Sequence, residues 1–253
     1  MSDSVFTSRE IRLTCPCCAT GFTSRVAGER QTLRFRSDLY PEYRGESPLP
    51  LLVHACPRCG FAGEQSAFAR GGLSEDQRSR VLRELEPRVR EFKEEPPPPN
   101  GAQHALAALM PRCASSLRDR VPGRVKYLCA ARVAEWLGEK EARIADFLLK
   151  ACWCCEEEGR ADPKLLRTAA ERFEKALSRP DGVSAPQRAV IAYLIGELYR
   201  RLGEPAKAVS WFHAVEREIV DPQRQAWIAS AARRQETEPE EWLGPAVDCR
   251  IEA

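Results

Sequence analysis

The sequence predicts an α+β protein that is mostly α-helical, with a small β unit at the N-terminus. Two observations carry this prediction. Residues 1 to about 70 contain short stretches in which apolar and polar residues alternate, together with two pairs of closely spaced cysteines. From about residue 103 to residue 234 the pattern is helical throughout, with capping residues and glycines where helices should begin and end.

The two cysteine pairs share one pattern. Each is a Cys-x-x-Cys turn with proline after the first cysteine and a glycine close behind, and a gap of 37 residues separates the pairs. Such a turn supplies two thiolates, and a tetrahedral zinc ion needs four. The pattern therefore predicts one structural Zn²⁺, with a redox dithiol or an iron centre as the alternatives. The predicted ligands are Cys15, Cys18, Cys56 and Cys59.

We expect the other cysteines, and the histidine near the second turn, to have packing roles and not to bind metal. Cys17 is expected to point away from the metal, and His54 is expected to pack in a strand or at the surface rather than to bind. Cys152 and Cys155 lie three residues apart on a predicted helix, but two donors make only half a site, so we expect them to fill the core. The same interpretation applies to Cys113, Cys129 and Cys249.

Three short strands are expected in the N-terminal unit, and a loop spans residues 39–50 because it holds three prolines and a glycine. The predicted strands are Ile11–Leu13, Thr32–Arg36 and Leu51–Val53. A unit of this size buries too little apolar surface to be stable alone, and a structural zinc contributes on the order of 10 kcal/mol of apparent folding free energy. We therefore expect the metal and the fold to be lost together.

A helix should begin at Ser74, where Gln77 completes a capping box, and should be kinked or interrupted at Pro87. Four consecutive prolines then predict a stiff spacer and a domain boundary. The predicted divisions are a zinc-ribbon domain at 1–73, a helix and proline-rich linker at 74–101, a helical repeat domain at 102–235, and a C-terminal tail at 236–253.

Local signals place the ends of helices in the C-terminal part. Asp162 and Asp221 each precede a proline, which is typical of an N-cap followed by the first helical residue. Gly138 and Gly203 lie where helices should end. Trp242 and Leu243, in the tail, are expected to dock on the last helix.

One helical hairpin has a repeat signature. Gly196, Tyr199, Gly203, Ala208 and Phe212 fall at offsets 0, 3, 7, 12 and 16, which matches the tetratricopeptide (TPR) pattern. Gly196 and Ala208 would let the two helices approach closely. Weaker signatures precede it, so we expect two to three TPR-like hairpins in all. Those signatures are Ala169, Phe173 and Ala176, and Ala131, Gly138 and Phe147.

The two cysteine turns, together with the run from Tyr193 to Gly203 and then Ala208, Trp211 and Phe212, are similar to a bacterial family of unknown function. That family joins an N-terminal zinc ribbon to TPR-like helices. The resemblance covers roughly residues 10 to 235. It implies zinc at the four predicted ligands and a helical repeat domain, and it implies no activity. The chain departs from the family pattern in Cys17 and in its proline-rich spacer.

Composition limits the function classes. The formal net charge of +2 creates no strong attraction to nucleic acid or to an acidic membrane. The N-terminus lacks a signal-peptide pattern, no stretch is long and apolar enough to span a membrane, and eleven cysteines suit a reducing compartment. We therefore expect a cytoplasmic protein that does not bind membranes.

The sequence favours a cytoplasmic adaptor that binds a protein partner in the groove of its helical repeats. The alternative is a nucleic-acid-binding protein, in which arginines of the N-terminal unit form a basic face and Phe22, Phe35 and Phe61 stack on bases. Those arginines are Arg25, Arg30, Arg34, Arg36, Arg44 and Arg58. We expect no enzymatic activity, because four cysteine ligands leave no open metal position and no catalytic motif is present.

Overall fold

The structure is a computed structural model that describes residues 8–69, 72–94 and 121–245. Helices predominate in these ranges, and the strands form small antiparallel sheets, so the predicted fold class, α+β and mostly α, is confirmed. Among the described residues, no helix has both the length and the apolar character that a bilayer crossing requires.

The described strands form three sheets. Strands β1 and β2 form a hairpin, β4, β3 and β7 form a three-stranded sheet in that order, and β5 pairs with β6. The strands are β1 Ser8–Thr14, β2 Gly21–Ala27, β3 Thr32–Arg36, β4 Pro41–Tyr43, β5 His54–Ala55, β6 Ala62–Gly63 and β7 Trp242–Pro245.

Eight α-helices and one 3₁₀ turn lie in the described ranges. The 3₁₀ turn covers Gln65–Phe68. The helices are α1 Leu49–Leu52, α2 Glu75–Glu94, α3 Gly123–Leu137, α4 Glu141–Glu157, α5 Pro163–Leu177, α6 Ala185–Arg201, α7 Pro205–Glu218 and α8 Ala226–Thr237.

The chain divides into two compact units, and each is assembled from three separate stretches. We call the first the cysteine unit; it comprises residues 1–29, 48–139 and 150–160. We call the second the helical unit; it comprises residues 30–47, 140–149 and 161–253. The division falls inside α4. The boundaries that the sequence suggests at 73, 101 and 235 stay a prediction, since residues 95–101 of the proline-rich linker lie outside the described ranges.

The core of the cysteine unit is built around aromatic rings. Phe68 meets Phe22 and Phe61 edge to face, with ring centroids 5.6 Å and 5.3 Å apart. Val81 of α2 and Val133 of α3 are buried in the same cluster. These helices therefore give the small sheets of this unit the apolar cover that their own residues cannot provide.

Helix α6 is at the centre of the helical unit. All of its residues from Ala192 to Tyr199 are buried, which is unusual for a surface helix and typical of one enclosed on every side. Helices α5, α7 and α8 contact it. Gly196 permits the approach of α7, because a Cβ atom there would lie 2.7 Å from two ring carbons of Phe212.

Several local predictions are confirmed. Ile11–Leu13 and Thr32–Arg36 are in strands. In the capping box, Gln77 N–H donates to Ser74 Oγ (3.2 Å) and Ser74 N–H donates to Gln77 Oε1 (2.9 Å). Asp162 accepts from two backbone N–H groups at the start of α5, and Gly138 and Gly203 adopt positive φ after α3 and α6.

Other local predictions are wrong. Leu51 and Leu52 lie in helix α1 and not in a strand, because Pro50 has the φ that suits a first helical turn and Leu49 is buried. Asp221 caps a turn through the N–H groups of residues 223 and 224, while α8 begins only at Ala226. Helix α2 continues past Pro87, so the predicted interruption does not occur, while a kink there stays a prediction.

Two further segments differ from the sequence prediction. The predicted 39–50 loop includes strand β4 and the start of α1. Residues Trp242–Pro245 of the predicted tail form strand β7, in which Trp242 lies opposite Arg36 of β3. Strand β3 therefore belongs to the helical unit and not to the unit that holds the cysteine turns.

Candidate metal centre

Four cysteine sulfur atoms meet in the cysteine unit. The Sγ atoms of Cys15, Cys18, Cys56 and Cys59 all lie within 4.8 Å of one another. Two pairs, Cys15 with Cys59 and Cys18 with Cys56, are 3.6 Å apart. Four sulfurs bound tetrahedrally at about 2.3 Å would be separated by about 3.8 Å, whereas a disulfide needs about 2.05 Å. The four residues could therefore hold a metal ion.

The two turns that carry these thiols have the same backbone hydrogen bonds. In the first, Ala19 N–H donates to Cys15 O (2.9 Å) and Cys15 N–H donates to Thr20 O (3.0 Å). In the second, Gly60 N–H donates to Cys56 O (3.0 Å) and Cys56 N–H donates to Phe61 O (2.8 Å). Each turn closes the same ring and presents both of its sulfurs on one side, so two independent segments supply equivalent halves of the site.

The turns differ at the residue that follows the second cysteine. Gly60 has φ = +79°, and Ala19 has φ = +55° at the equivalent place. A left-handed conformation costs a residue with a Cβ atom about 1–2 kcal/mol. The glycine that the sequence pattern places in the first turn, Gly21, is instead the first residue of β2.

The four cysteines differ in burial. Cys15 and Cys56, the first cysteine of each turn, are 1% and 0% exposed. Cys18 and Cys59 are partly exposed, although both contact the apolar cluster of the unit. The centre is thus anchored in the core on one side and reaches the surface on the other.

The four thiols share hydrogen bonds, and these bonds raise the pKa of some of the thiols and lower the pKa of another. Bonds with Cys17 and Cys18 raise the pKa of Cys15 to about 11. Bonds from Cys15 and Cys56 lower the pKa of Cys18, whose Sγ atom also lies 3.2 Å from Thr20 Oγ1. Bonds with Cys15 and Cys18 raise the pKa values of Cys56 and Cys59. One thiolate is therefore favoured among the four, and a cation is needed to ionise them together.

Cys17 is not a member of the metal-capable group. Its side chain is fully buried in the apolar cluster with Phe22 and Phe61. Its carbonyl oxygen accepts a hydrogen bond from Arg78 Nε of α2 (3.0 Å). The residue therefore ties the first turn to the core.

His54 lies outside the group as well. Its ring is 1% exposed, packs edge to face on Phe68, and has Nδ1 2.8 Å from Ser24 Oγ. Burial, reinforced by Lys126, lowers the pKa of His54 to about 4. The imidazole is a neutral packing residue, in agreement with the prediction.

The cysteines of α4 do not form a second metal centre in the part of the chain that the structure describes. Cys152, Cys154 and Cys155 are all buried. Cys129 of α3 is also buried, and burial raises its pKa to about 12. Core filling therefore accounts for these four thiols, while Cys113 and Cys249 lie outside the described ranges.

Nucleic-acid binding stays a prediction, but two of the three aromatic rings that it requires are buried in the cysteine unit. Phe22 and Phe61 are 8% and 0% exposed, so their rings are unavailable for stacking on bases. The arginines of the predicted basic face are divided between the two units. Two of them are already engaged, Arg34 with Glu42 and Arg36 with Asp38.

The helical unit contains a buried charge network that the sequence analysis does not predict. Asp38 and Glu197 are both 0% exposed. Asp38 accepts two hydrogen bonds from Arg36 (2.7 Å and 2.8 Å) and a further one from Arg201. Glu197 accepts two from Arg200 (2.8 Å and 2.7 Å). Both buried carboxylates therefore have the bidentate arginine partner that such a group requires.

Ser37, the residue before Asp38, connects that segment of the chain to α6. Ser37 Oγ donates to Glu197 Oε1 (2.6 Å), and Tyr193 Oη donates to the Ser37 carbonyl oxygen (2.8 Å). The following turn contains Leu39 at φ = +65°. The only signal in the sequence is that Glu197 interrupts an apolar stretch of α6, and nothing in that signal identifies Ser37 as its partner.

The fold and the centre define a class: an α+β, mainly helical protein with a candidate four-cysteine metal centre near its N-terminus. The chain belongs to the family described as "Uncharacterized protein conserved in bacteria (DUF2225)", whose model matches residues 9–238. This match confirms the resemblance to a bacterial family of unknown function, while the repeat character of the helices stays a prediction. Neither the curated proteins nor the solved structures include a match to the chain.

Proposed function

We propose that this protein holds one structural zinc ion and acts in the cytoplasm as a non-catalytic adaptor that recognises another protein through its helical unit. The observation that carries the metal part is the convergence of four thiols, from two equivalent turns, within 4.8 Å. Zinc suits this donor set because it accepts four thiolates in a tetrahedron without a redox step.

The geometry supports a structural role for the ion. A site with four protein ligands has no position for substrate or for an activated water molecule. Cys15 and Cys56 are buried in the same cluster as Phe61, so the ion would bridge two chain segments at the edge of the core. Removing it would leave four thiols that cannot all ionise, and the two turns would separate.

The adaptor surface that we propose is on α5 and α7. Helix α6 is enclosed from Ala192 to Tyr199, and Ser37 covers part of it, so a partner has access to the outer sides of its neighbours. Exposed polar residues recur at helical spacing on both neighbours. They are Lys164, Thr168, Glu171 and Lys175 on α5, and Lys207, Ser210, His213 and Arg217 on α7. This surface suits a partner of mixed charge.

The cytoplasmic assignment rests on thiol chemistry. The nine cysteines among the described residues are all free thiols. An oxidising compartment would convert closely spaced thiols such as Cys15 and Cys18 to disulfides, whereas the cytoplasm keeps them reduced.

Elemental analysis of the purified protein tests the metal assignment. We expect one zinc per chain, and we expect Cys15→Ser to lose it while Cys17→Ala retains it. A colourless protein with zinc and no iron excludes the iron alternative. A wild-type protein without metal, with Cys15 and Cys18 reacting rapidly with a thiol reagent, would favour a redox dithiol instead.

Affinity capture with paired variants tests the adaptor assignment. The wild-type chain should retain a specific protein, and Lys164→Glu combined with Glu171→Lys should lose it. Arg233→Glu, which changes an exposed charge on α8, should retain the same partner. Retention of nucleic acid that salt abolishes, or capture that the α5 variant leaves unchanged, would contradict the proposal.

A further inference from the structure

The outer edge of strand β1 carries an inference that does not depend on the proposed function. Strand β1 pairs with β2 along its whole length, and no other described strand lies beside it. Glu10, Arg12 and Thr14 are exposed. A strand of seven residues with one unpaired edge presents a row of backbone donors and acceptors that another strand can bind.

Hydrogen bonding in the hairpin shows which backbone groups are available at this edge. Cys15 N–H donates to Thr20 O, so the Cys15–Thr20 pair is bonded across the hairpin. Bonded and non-bonded pairs alternate along an antiparallel ladder. The N–H and C=O groups of every second residue of β1 therefore point away from β2. These residues are Ser8, Glu10, Arg12 and Thr14.

The same residues make the edge complementary to itself. If Ile11 lies opposite Ile11 of a second, antiparallel copy, Glu10 lies opposite Arg12 of that copy, and Arg12 opposite its Glu10. Sliding the copies by one residue pair in either direction places Glu10 opposite Glu10 or Arg12 opposite Arg12. A shift by a single residue places the outward-pointing backbone groups of one copy opposite residues whose groups point toward β2 in the other copy, so the hydrogen bonds between the copies are lost. Only one register combines opposite charges with bonded backbones.

The rest of the hairpin agrees with this register. Glu10 already lies opposite Arg25 of β2, and Arg12 lies opposite Thr23. A row across the joined sheet would read Arg25, Glu10, then Arg12 and Thr23 of the second copy, with charges of alternating sign. On the other face Ile11, which is half-buried, would be covered by its counterpart.

We propose that β1 is a self-association edge: two copies of the chain pair through β1 in the antiparallel register centred on Ile11, which joins the two hairpins into one four-stranded sheet. The interface is isologous, as a closed dimer requires. Seven residue pairs bury less than the roughly 1,200 Å² of a typical stable interface, so the dimer is weak and depends on concentration.

Charge variants of the full-length protein test the proposal in sedimentation equilibrium. Glu10→Lys places a lysine opposite Arg12 twice, and Arg12→Glu places a glutamate opposite Glu10 twice. Each should raise the dimer dissociation constant by about tenfold or more. Exchanging both charges, as Glu10→Arg with Arg12→Glu, restores opposite signs across the interface in the same register. It should recover most of the association, with a small loss because residue 10 then faces Arg25 of its own hairpin.

Mixing the Glu10→Lys and Arg12→Glu variants gives a sharper result. The lysine introduced in one chain then faces the glutamate introduced in the other, and the Arg12 and Glu10 that the two variants retain face each other. The mixture should therefore form a heterodimer while each variant alone is monomeric. Circular dichroism and the metal content of each variant should match the wild type, because both side chains are exposed.

Three outcomes would overturn the proposal. They are a wild-type chain that stays monomeric over the whole accessible concentration range, a dimer whose dissociation constant the single variants leave unchanged, and variants that weaken association without rescue by charge exchange or by mixing. High salt should weaken the wild-type dimer, since the charges are exposed. An uncharged Thr23→Ser variant, altered on the same face but away from the edge, serves as the matched control.

Discussion

The cysteine unit and the helical unit stabilise distant parts of the chain by different chemistry. In the cysteine unit, four thiols from two turns converge around a position for an ion. In the helical unit, the buried carboxylates of Asp38 and Glu197 are paired with partly exposed arginines, and every charge is supplied by the chain itself. The proposed structural ion therefore predicts that the stability of the first unit depends on metal supply and on thiol oxidation, whereas the stability of the second does not.

The largest expected effect comes from breaking the cysteine centre. Cys56→Ser, or removal of the ion by a chelator, should abolish metal binding and cost the cysteine unit on the order of 10 kcal/mol of apparent stability. Hydrogen exchange should show loss of protection in β2 and β5, while α5, α6 and α7 remain protected. Cys17→Ala is the matched control, because it removes a buried thiol from the same unit and leaves the four ligands in place.

Two outcomes would contradict this prediction. If α6 loses protection together with β2, the two units do not unfold independently and the comparison fails. If Cys56→Ser keeps its metal, the ligand set is wrong.

A smaller effect is expected from the charge network. Glu197→Gln removes a charge that is fully buried and leaves Arg200 with a neutral partner. Breaking one partner of a fully buried pair costs about 3–5 kcal/mol. Because the Arg200 side chain is 29% exposed and water can solvate it, the loss here should lie at or below the lower end of that range. Urea unfolding followed by tryptophan fluorescence measures this difference. Glu216→Gln, on an exposed pair with Arg233, should leave the midpoint unchanged.

The metal content separates the two kinds of stabilisation again. Glu197→Gln should retain one metal per chain despite its lower stability. Loss of the ion in this variant would show that the network and the cysteine centre are coupled.

Close packing of α6 on α7 provides the next test. A methyl group at position 196 would lie 2.7 Å from the Phe212 ring and 3.2 Å from the Ala208 carbonyl oxygen. Gly196→Ala should therefore destabilise the helical unit by about 1–3 kcal/mol, although alanine has the higher helix propensity. Combining it with Phe212→Leu should recover part of that loss. An increase in melting temperature for Gly196→Ala alone would contradict the packing.

The features that the sequence predicts correctly depend on neighbouring residues. The cysteine turns and the Ser74 capping box are encoded within a few positions, so their spacing is enough to identify them. The close approach of two helices at Gly196 follows from the known period of a helical hairpin. The fold class follows from the same kind of local periodicity.

The features that it misses depend on contacts between remote residues. Arg201 and Asp38 are 163 positions apart, and β3 pairs with β7 near the opposite end of the chain. Neither strand carries a pattern that selects the other. The helix at Leu49–Leu52 is missed because its apolar residues also fit a strand. The φ of Pro50 and the burial of Leu49 together favour the helix.

The smallest expected effect compares the two cysteine turns with each other. Ala19 and Gly60 occupy equivalent positions with positive φ, and a Cβ atom at residue 60 would have no atom within 4 Å. Conformation alone therefore decides the effect of each exchange. Ala19→Gly should stabilise the cysteine unit by up to about 1 kcal/mol, and Gly60→Ala should destabilise it by about 1–2 kcal/mol.

Competition with a chelator measures both variants through their affinity for the metal, because the conformation of the turn and ion binding are linked. The double exchange, Ala19→Gly with Gly60→Ala, should lie close to the wild type, since it moves the strained residue from one turn to the other. A double variant far weaker than the wild type would show that the turns are not equivalent. In that case the second turn would contribute more to the centre than the shared hydrogen bonds indicate.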